Sequence, residues 1–355
     1  MAPENQAAWL AAAKTTPLQV SPAPYTPPGA GQLVIRNSAV AINPVDWQKQ
    51  LLGDALLGYI AYPFVLGGDA AGTVVEVGPG VTRFRVGDRV VGAALSFAES
   101  VNSAAEGAFQ LYTVLREHMA APIPAGVSEE AACVIPLTLC TVAYGLFHAE
   151  FLALDLPVVR ARSAVLADGK VRAVIVTGGS SSAGSNAVQL AVAAGYEVIS
   201  TASPKNFDHV RKLGASHVFD YHLDANTLAD KMLAALEGRV LAGALAIGEG
   251  SVDACAAVLG RHADTANKFI ASASFMPPGG GASEVKVRFI DLKDAAEPDG
   301  QVARIWKDYL PQALEAGQFV PAPAPMVVGK GLEKIQEAMG VQMKGVSAQK
   351  VVVML

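Results

Sequence analysis

The stretch from Val174 to Gly195, VIVTGGSSSAGSNAVQLAVAAG, constrains the fold of this chain more than any other. Val174 to Thr177 is apolar or β-branched and reads as a buried parallel strand, and Gly178, Gly179 and the serines Ser180 to Ser182 make a tight turn of small residues. From Gly184 the period changes: Ala187, Leu190, Ala191 and Ala194 fall on one helical face, and Gly195 stands where a helix of this length ends. A strand, a glycine turn and a helix in that order aim the first backbone N–H groups and the positive end of the helix dipole at one point. Such a point suits an anion.

A dinucleotide turn is written G-x-G-x-x-G, and the frame Gly179, Ser181, Gly184 keeps its first and third glycines. Serine in the second place is small enough for a pyrophosphate to approach and adds a donor. The other reading of the same residues is an ordinary strand-to-helix turn. On the first reading Gly179, Ser180, Ser181, Ser182, Ala183 and Gly184 line the phosphate site.

At 355 residues the chain is long for one core and comfortable for two domains. Hydrophobic residues at 52% and charged ones at 17% fit a packed enzyme-like chain rather than a disordered one. The net charge of −5 and scattered basic residues give no footprint for nucleic acid. Three cysteines without C-x-x-C spacing, Cys133, Cys140 and Cys255, fit a reducing compartment. MAPENQAAWL lacks the basic start and apolar run of a signal peptide, so a cytoplasmic location is expected. Ala131 to Phe147 is apolar enough to suggest a membrane segment, but it is short and holds Pro136, so it reads as buried core and no membrane is expected.

In chain order, Leu33 to Ile42, Gly72 to Val77, Asp88 to Gly92 and Gln110 to Val114 read as short strands between Gly and Pro turns, a β barrel or sandwich. Glu129 to Phe151 reads as one helix. Beyond the glycine turn, strands at Tyr196 to Thr201, His217 to Asp220, Ala242 to Ile247 and Phe269 to Ser274 alternate with helices at Phe207 to Leu213, Asp224 to Glu237 and Val252 to Gly260. That alternation is α/β and implies a doubly wound parallel sheet, to which Val285 to Phe289 adds a last strand. A helix from Gln301 to Ala316 with Gly317 at its end, a Pro-rich link from Pro321 to Pro325, a helix from Gly331 to Met343 and a strand from Lys350 to Met354 complete the chain.

Gly68-Asp69-Ala70-Ala71-Gly72, Gly87-Asp88-Arg89-Val90, the GGSSSAG turn and Ser203-Pro204-Lys205-Asn206-Phe207 together resemble the medium-chain dehydrogenase/reductase superfamily. Within it the chain is similar to the zinc-free quinone-reductase-like branch, which includes fungal trans-acting enoyl reductases of polyketide biosynthesis. The resemblance spans nearly the whole chain. It implies a GroES-like β-barrel catalytic domain over residues 1–138, a Rossmann domain over 139–291, a return to the catalytic domain over 292–355, and an active site in the cleft between domains. It puts Asn43, Gly68 and Thr138 where zinc-dependent members hold their catalytic metal, and none of these is a usual zinc ligand. No metal is therefore expected.

Cofactor choice is read where the second Rossmann strand ends. An NAD site places an Asp or Glu there for the ribose 2′-hydroxyl, whereas Ser203 to Asn206 contains no acid. Ser203 and Lys205 can instead pair with a 2′-phosphate, unless Lys205 is only a solvated loop residue. In the family, a residue placed like Tyr221 packs near the adenosine phosphate. Ile247, with Gly248, ends the fourth strand where the nicotinamide crevice falls, or is a plain strand exit. Ser274 and Phe275 end the next, and Phe275 either covers the same ring or belongs to the core.

The expected activity is reduction by NADPH of the C=C bond of an α,β-unsaturated thioester or ketone. The substrate is a small molecule or an acyl chain on a carrier protein, the latter with a polyketide synthase as partner. Asn43 and Thr138 are the candidate catalytic residues, as donors to the enolate oxygen, although Asn43 followed by Pro44 also reads as a turn residue. The proton comes from water or from a tyrosine such as Tyr59 or Tyr62. A quinone or 2-alkenal reductase, and a non-catalytic NADPH-binding protein of the same fold, are the alternatives. Asp46 and Asp69 read as holding the fold rather than as acid and base.

Overall fold

The computed structural model of the chain describes residues 3–160, 163–274, 284–293 and 297–355. Two compact units divide it, Met1–Leu137 with Lys293–Leu355 and Thr138–Leu292.

The first unit opens with strands β1 (Asn5–Leu10), β2 (Gln19–Ala23) and β3 (Gln32–Ala41), helix α1 (Pro44–Leu52), and strands β4 (Phe64–Val65), β5 (Asp69–Val77), β6 (Arg89–Ala93), β7 (Tyr112–Arg116) and β8 (Ala120–Pro122). Helices α2 (Glu129–Ala132) and α3 (Pro136–Phe147) follow, and the unit boundary falls inside α3. The second unit runs β9 (Val171–Val176), α4 (Ser182–Ala193), β10 (Glu197–Ala202), α5 (Phe207–Lys212), β11 (His217–Asp220), α6 (Ala225–Ala235), β12 (Arg239–Ala246), α7 (Ser251–Arg261), β13 (Phe269–Ser272) and β14 (Lys286–Phe289). The chain then returns to the first unit through α8 (Gln301–Arg304), a π-helical turn (Ile305–Tyr309), α9 (Leu310–Glu315), β15 (Ala324–Lys330), α10 (Ile335–Met343) and β16 (Gln349–Met354).

In the second unit six parallel strands stand in the order β11-β10-β9-β12-β13-β14. The chain builds outward from β9 to β11, then crosses back to the other side of β9, so the order reverses between β9 and β12. A sheet of this kind opens its ligand crevice at that switch point, beyond the carboxyl ends of the strands. Residues Ala173 to Val176 of β9 are all fully buried, which is why the strand reads as a continuous apolar run rather than an alternating one.

In the first unit a seven-stranded sheet runs β15-β16-β3-β5-β6-β8, with β7 also paired to β3, and a three-stranded sheet runs β2-β1-β4. Leu33, Ile35, Val40, Val74, Val90, Leu115 and Val351 meet in one core with Ile335 and Met339 of α10. Strand β15 begins inside the Pro-rich stretch expected to be a link and pairs in parallel with β16. Prolines are tolerated there because β15 is an edge strand.

Two helices expected to be continuous are not. Glu129 to Phe151 is broken between α2 and α3, because Pro136 has no N–H to continue a helical ladder; it is instead the first residue of α3. This segment, Glu129–Phe147, is long and apolar enough by composition to cross a membrane, yet most of it is buried inside the protein. Between Gln301 and Ala316, Pro311 cannot bond the Lys307 carbonyl, and the ladder widens: the Leu310 N–H reaches the Ile305 carbonyl. Side chains take up the loosened carbonyls, Arg83 Nη2 at 3.4 Å from the Trp306 oxygen and Gln312 Nε2 at 2.8 Å from that of Asp308.

Candidate active site

The glycine turn is a backbone cradle that only small residues allow. A Cβ on Gly184 would lie 2.1 Å from the Gly178 carbonyl oxygen, and one on Gly179 would lie 2.3 Å from Ser200 Oγ. Gly178 has a φ of +61°, which glycine adopts without strain. Ser181 caps α4: its Oγ accepts the Gly184 N–H at 3.0 Å and donates to the Gly178 carbonyl at 2.8 Å. The open backbone and a twelve-residue helix pointing its N-terminus at it fit a pyrophosphate.

At the end of β10, Ser203 Oγ donates to the Tyr221 hydroxyl at 3.4 Å, and the half-exposed Tyr221 ring stacks on His222 at 4.1 Å. Lys205 is exposed beside them in sequence, and Asn206 Nδ2 donates to Ser180 Oγ at 3.4 Å, tying this corner to the glycine turn. The nearby acids are engaged elsewhere. Asp208 pairs with Arg211 at 3.2 Å, and Asp220 accepts the backbone N–H and ring of His222, which hold its carboxyl below the usual range.

At the switch point, Thr177 Oγ1 accepts the Ile247 N–H at 2.6 Å and donates to the Ile247 carbonyl at 3.1 Å, fixing Ile247 against Gly178. Gly248 turns the chain with a φ of +99°, and its carbonyl accepts from Ser251 at 2.6 Å and Ser274 at 3.4 Å. Phe275 lies outside the described residues. Thr138, near the start of α3, is almost buried, and its Oγ1 accepts from Asn186 Nδ2 of α4 at 2.9 Å. Asn186 escaped the sequence reading, since one asparagine inside a helix carries no pattern.

In the first unit Asn43 is fully buried and precedes α1. Its N–H donates to Asp46 Oδ2 at 2.7 Å, its Nδ2 to Asp69 Oδ2 at 2.8 Å, and its Oδ1 accepts from Lys350 Nζ at 2.5 Å. Lys350 Nζ also lies 2.9 Å from Asp69 Oδ2, and Asp69 Oδ1 accepts the Leu137 N–H at 2.5 Å. Burial pushes the Asp46 carboxyl up to about 7, opposed by the Asn43 N–H and, more weakly, by Lys350 and the Gly67 N–H. The turn and strand-end bonds expected of Asp46 and Asp69 are thus present. Gly68 packs against Leu137, whose Cδ1 would be 2.4 Å from an added Cβ.

These residues do not fit a zinc ion: the Asn43 amide is bound on both sides, Leu137 fills the space beside Gly68, and Thr138 supplies only a hydroxyl held by Asn186. Among the described residues no group of three His, Cys, Asp or Glu could hold a metal. Of the tyrosines, Tyr59 donates to the Phe97 carbonyl and Tyr62 to Asp54 Oδ1 at 2.9 Å. Burial raises both hydroxyls, Tyr62 to about 12 with the help of Asp54.

Residues 29–125 match the alcohol dehydrogenase GroES-like domain. The chain is 47% identical to the dehydrogenase pigH of Monascus ruber over 99% of its length and 100% of that protein. It is 38% identical to the trans-enoyl reductase himH of Aspergillus japonicus, over 98% of this chain and 97% of that one. Among solved structures, mycobacterial Rv1454c complexed with NADPH superposes with a TM-score of 0.69 at 22% identity, covering 99% of this chain and 100% of that one.

Proposed function

The chain belongs to the medium-chain dehydrogenase/reductase family and is an oxidoreductase, and from that premise we propose that it reduces the C=C bond of an α,β-unsaturated thioester or ketone with NADPH. The observation that carries the proposal is the near-buried Thr138 hydroxyl, held by Asn186 of the helix that follows the glycine turn.

NADPH when bound would supply a hydride to the β-carbon. Its pyrophosphate would rest on Gly179 to Gly184, its 2′-phosphate on Ser203 and Lys205 with Tyr221 alongside, and its nicotinamide near Ile247. The electron pair of the C=C bond moves toward the carbonyl oxygen, and the Thr138 hydroxyl donates to that developing enolate. Asn186 orients this hydroxyl by occupying its oxygen as acceptor. A proton then reaches the α-carbon from water or from a tyrosine hydroxyl. Asn43, its amide bound by Asp69 and Lys350, acts as a structural residue of the first unit in this reading. The name trans-enoyl reductase of the Aspergillus japonicus relative supports an enoyl substrate over a quinone.

Thr138→Val keeps the shape of the side chain and removes the hydroxyl. With an enoyl thioester substrate kcat falls roughly 10- to 1,000-fold while NADPH affinity stays nearly intact, because the missing bond is strongest in the transition state. An unchanged kcat would remove Thr138 from the mechanism.

A further inference from the structure

The cluster Asn43–Asp69–Lys350 joins three distant parts of the first unit: the turn before α1, the start of β5 and strand β16. Asp69 is fully buried and Lys350 nearly so. Burying a carboxylate without a cation is strongly unfavourable, so the Lys350 ammonium is what lets Asp69 stand charged at this depth. The two oxygens of Asp69 then do different things. Oδ2 takes the lysine and the Asn43 amide, while Oδ1 accepts the N–H of Leu137, the residue before Thr138. A second contact pins the same residue, the Leu137 side chain lying against Gly68 where any Cβ would clash.

We propose that Lys350 is a positioning residue for the reduction: through Asp69 it fixes the backbone at Leu137 and so sets where the Thr138 hydroxyl is presented. This rests on the enoyl reductase reading of Thr138. An ammonium on the last strand thereby reaches the reacting group through two hydrogen-bonded links and one peptide bond. A charged link is stiffer than a neutral one, because each bond in it is charge-assisted. Displacement of a reacting group by about 1 Å costs on the order of 100-fold in rate.

Lys350→Met alone strands the Asp69 charge and can unfold the protein, so the decisive variant is the double change Asp69→Asn with Lys350→Met, which removes both charges and keeps an acceptor for the Leu137 N–H. Measured on folded protein below its melting temperature, kcat for an enoyl thioester falls about 10- to 100-fold while KM and the NADPH dissociation constant move less than about threefold. Amide hydrogen exchange over the peptide containing Leu137 speeds up roughly tenfold or more, with exchange in β9 and β12 unchanged. If kcat and Leu137 exchange both stay at the unaltered values while only the melting temperature drops, the cluster is a stability element and the proposal fails. If the unaltered protein reduces no enoyl substrate, the functional reading fails and this inference with it, which is a different result from an active protein indifferent to the double change.

Discussion

A lysine or an acid after the second strand of the second unit sorts two cofactors that differ by one phosphate. Here the place holds Ser203 and exposed Lys205, with Asp208 and Asp220 occupied by Arg211 and His222. A charge-assisted bond is worth roughly 1.5–3 kcal/mol, equivalent to about 10- to 150-fold in affinity. Lys205 is exposed and therefore screened, which points to the lower end of that range. Lys205→Ala weakens NADPH accordingly and leaves NADH nearly unchanged, read by titration of both cofactors; equal affinity for the two in the unaltered protein would contradict the assignment. The strand, glycine turn and helix were legible because they lie in one short contiguous string. Lys350 was not, since its meaning depends on Asn43, 307 residues away, and a lysine ending a loop looks the same as one entering a core.

At the scale of elements, α1 begins on a buried carboxyl. Asp46 faces Asp69 and Lys350 and accepts from the Asn43 and Gly67 N–H groups, and burial raises it from an ordinary 3.8 to about 7. The folded chain therefore holds a proton at Asp46 that the unfolded chain has released above about pH 4. The stability it contributes is full below the unfolded value and is lost as pH rises through the folded one, at up to about 1.4 kcal/mol per pH unit. Denaturant unfolding from pH 5 to 8 then shows a falling contribution that Asp46→Asn flattens; parallel pH profiles for the two proteins would contradict it. Elements read best from sequence where the pattern was local and continuous, as in α4, with its helical spacing and Gly195 at its end, and β11 at His217 to Asp220. They read worst where proline acted: Pro136 split one expected helix and Pro311 widened another, effects of a missing N–H that apolar spacing does not register.

For the whole molecule, the alternation of strand and helix from Val174 onward carried the doubly wound parallel sheet, which the six-stranded order bears out, while the place where the order reverses came only from the structure. The three-stranded sheet and β15 were not foreseen, because short strands paired to remote partners leave little local pattern. The proposed reaction is hydride transfer from a nicotinamide to an activated C=C bond. Its most direct measurement is anaerobic turnover of NADPH deuterated at the transferring position with enoyl thioesters, both free and on a carrier protein, followed by mass spectrometry of the product. The expected product is a saturated thioester with one deuterium at the β-carbon and a solvent-derived proton at the α-carbon. A protein that binds NADPH yet leaves every enoyl substrate unreduced, or oxidises NADPH only with quinones, would not be an enoyl reductase.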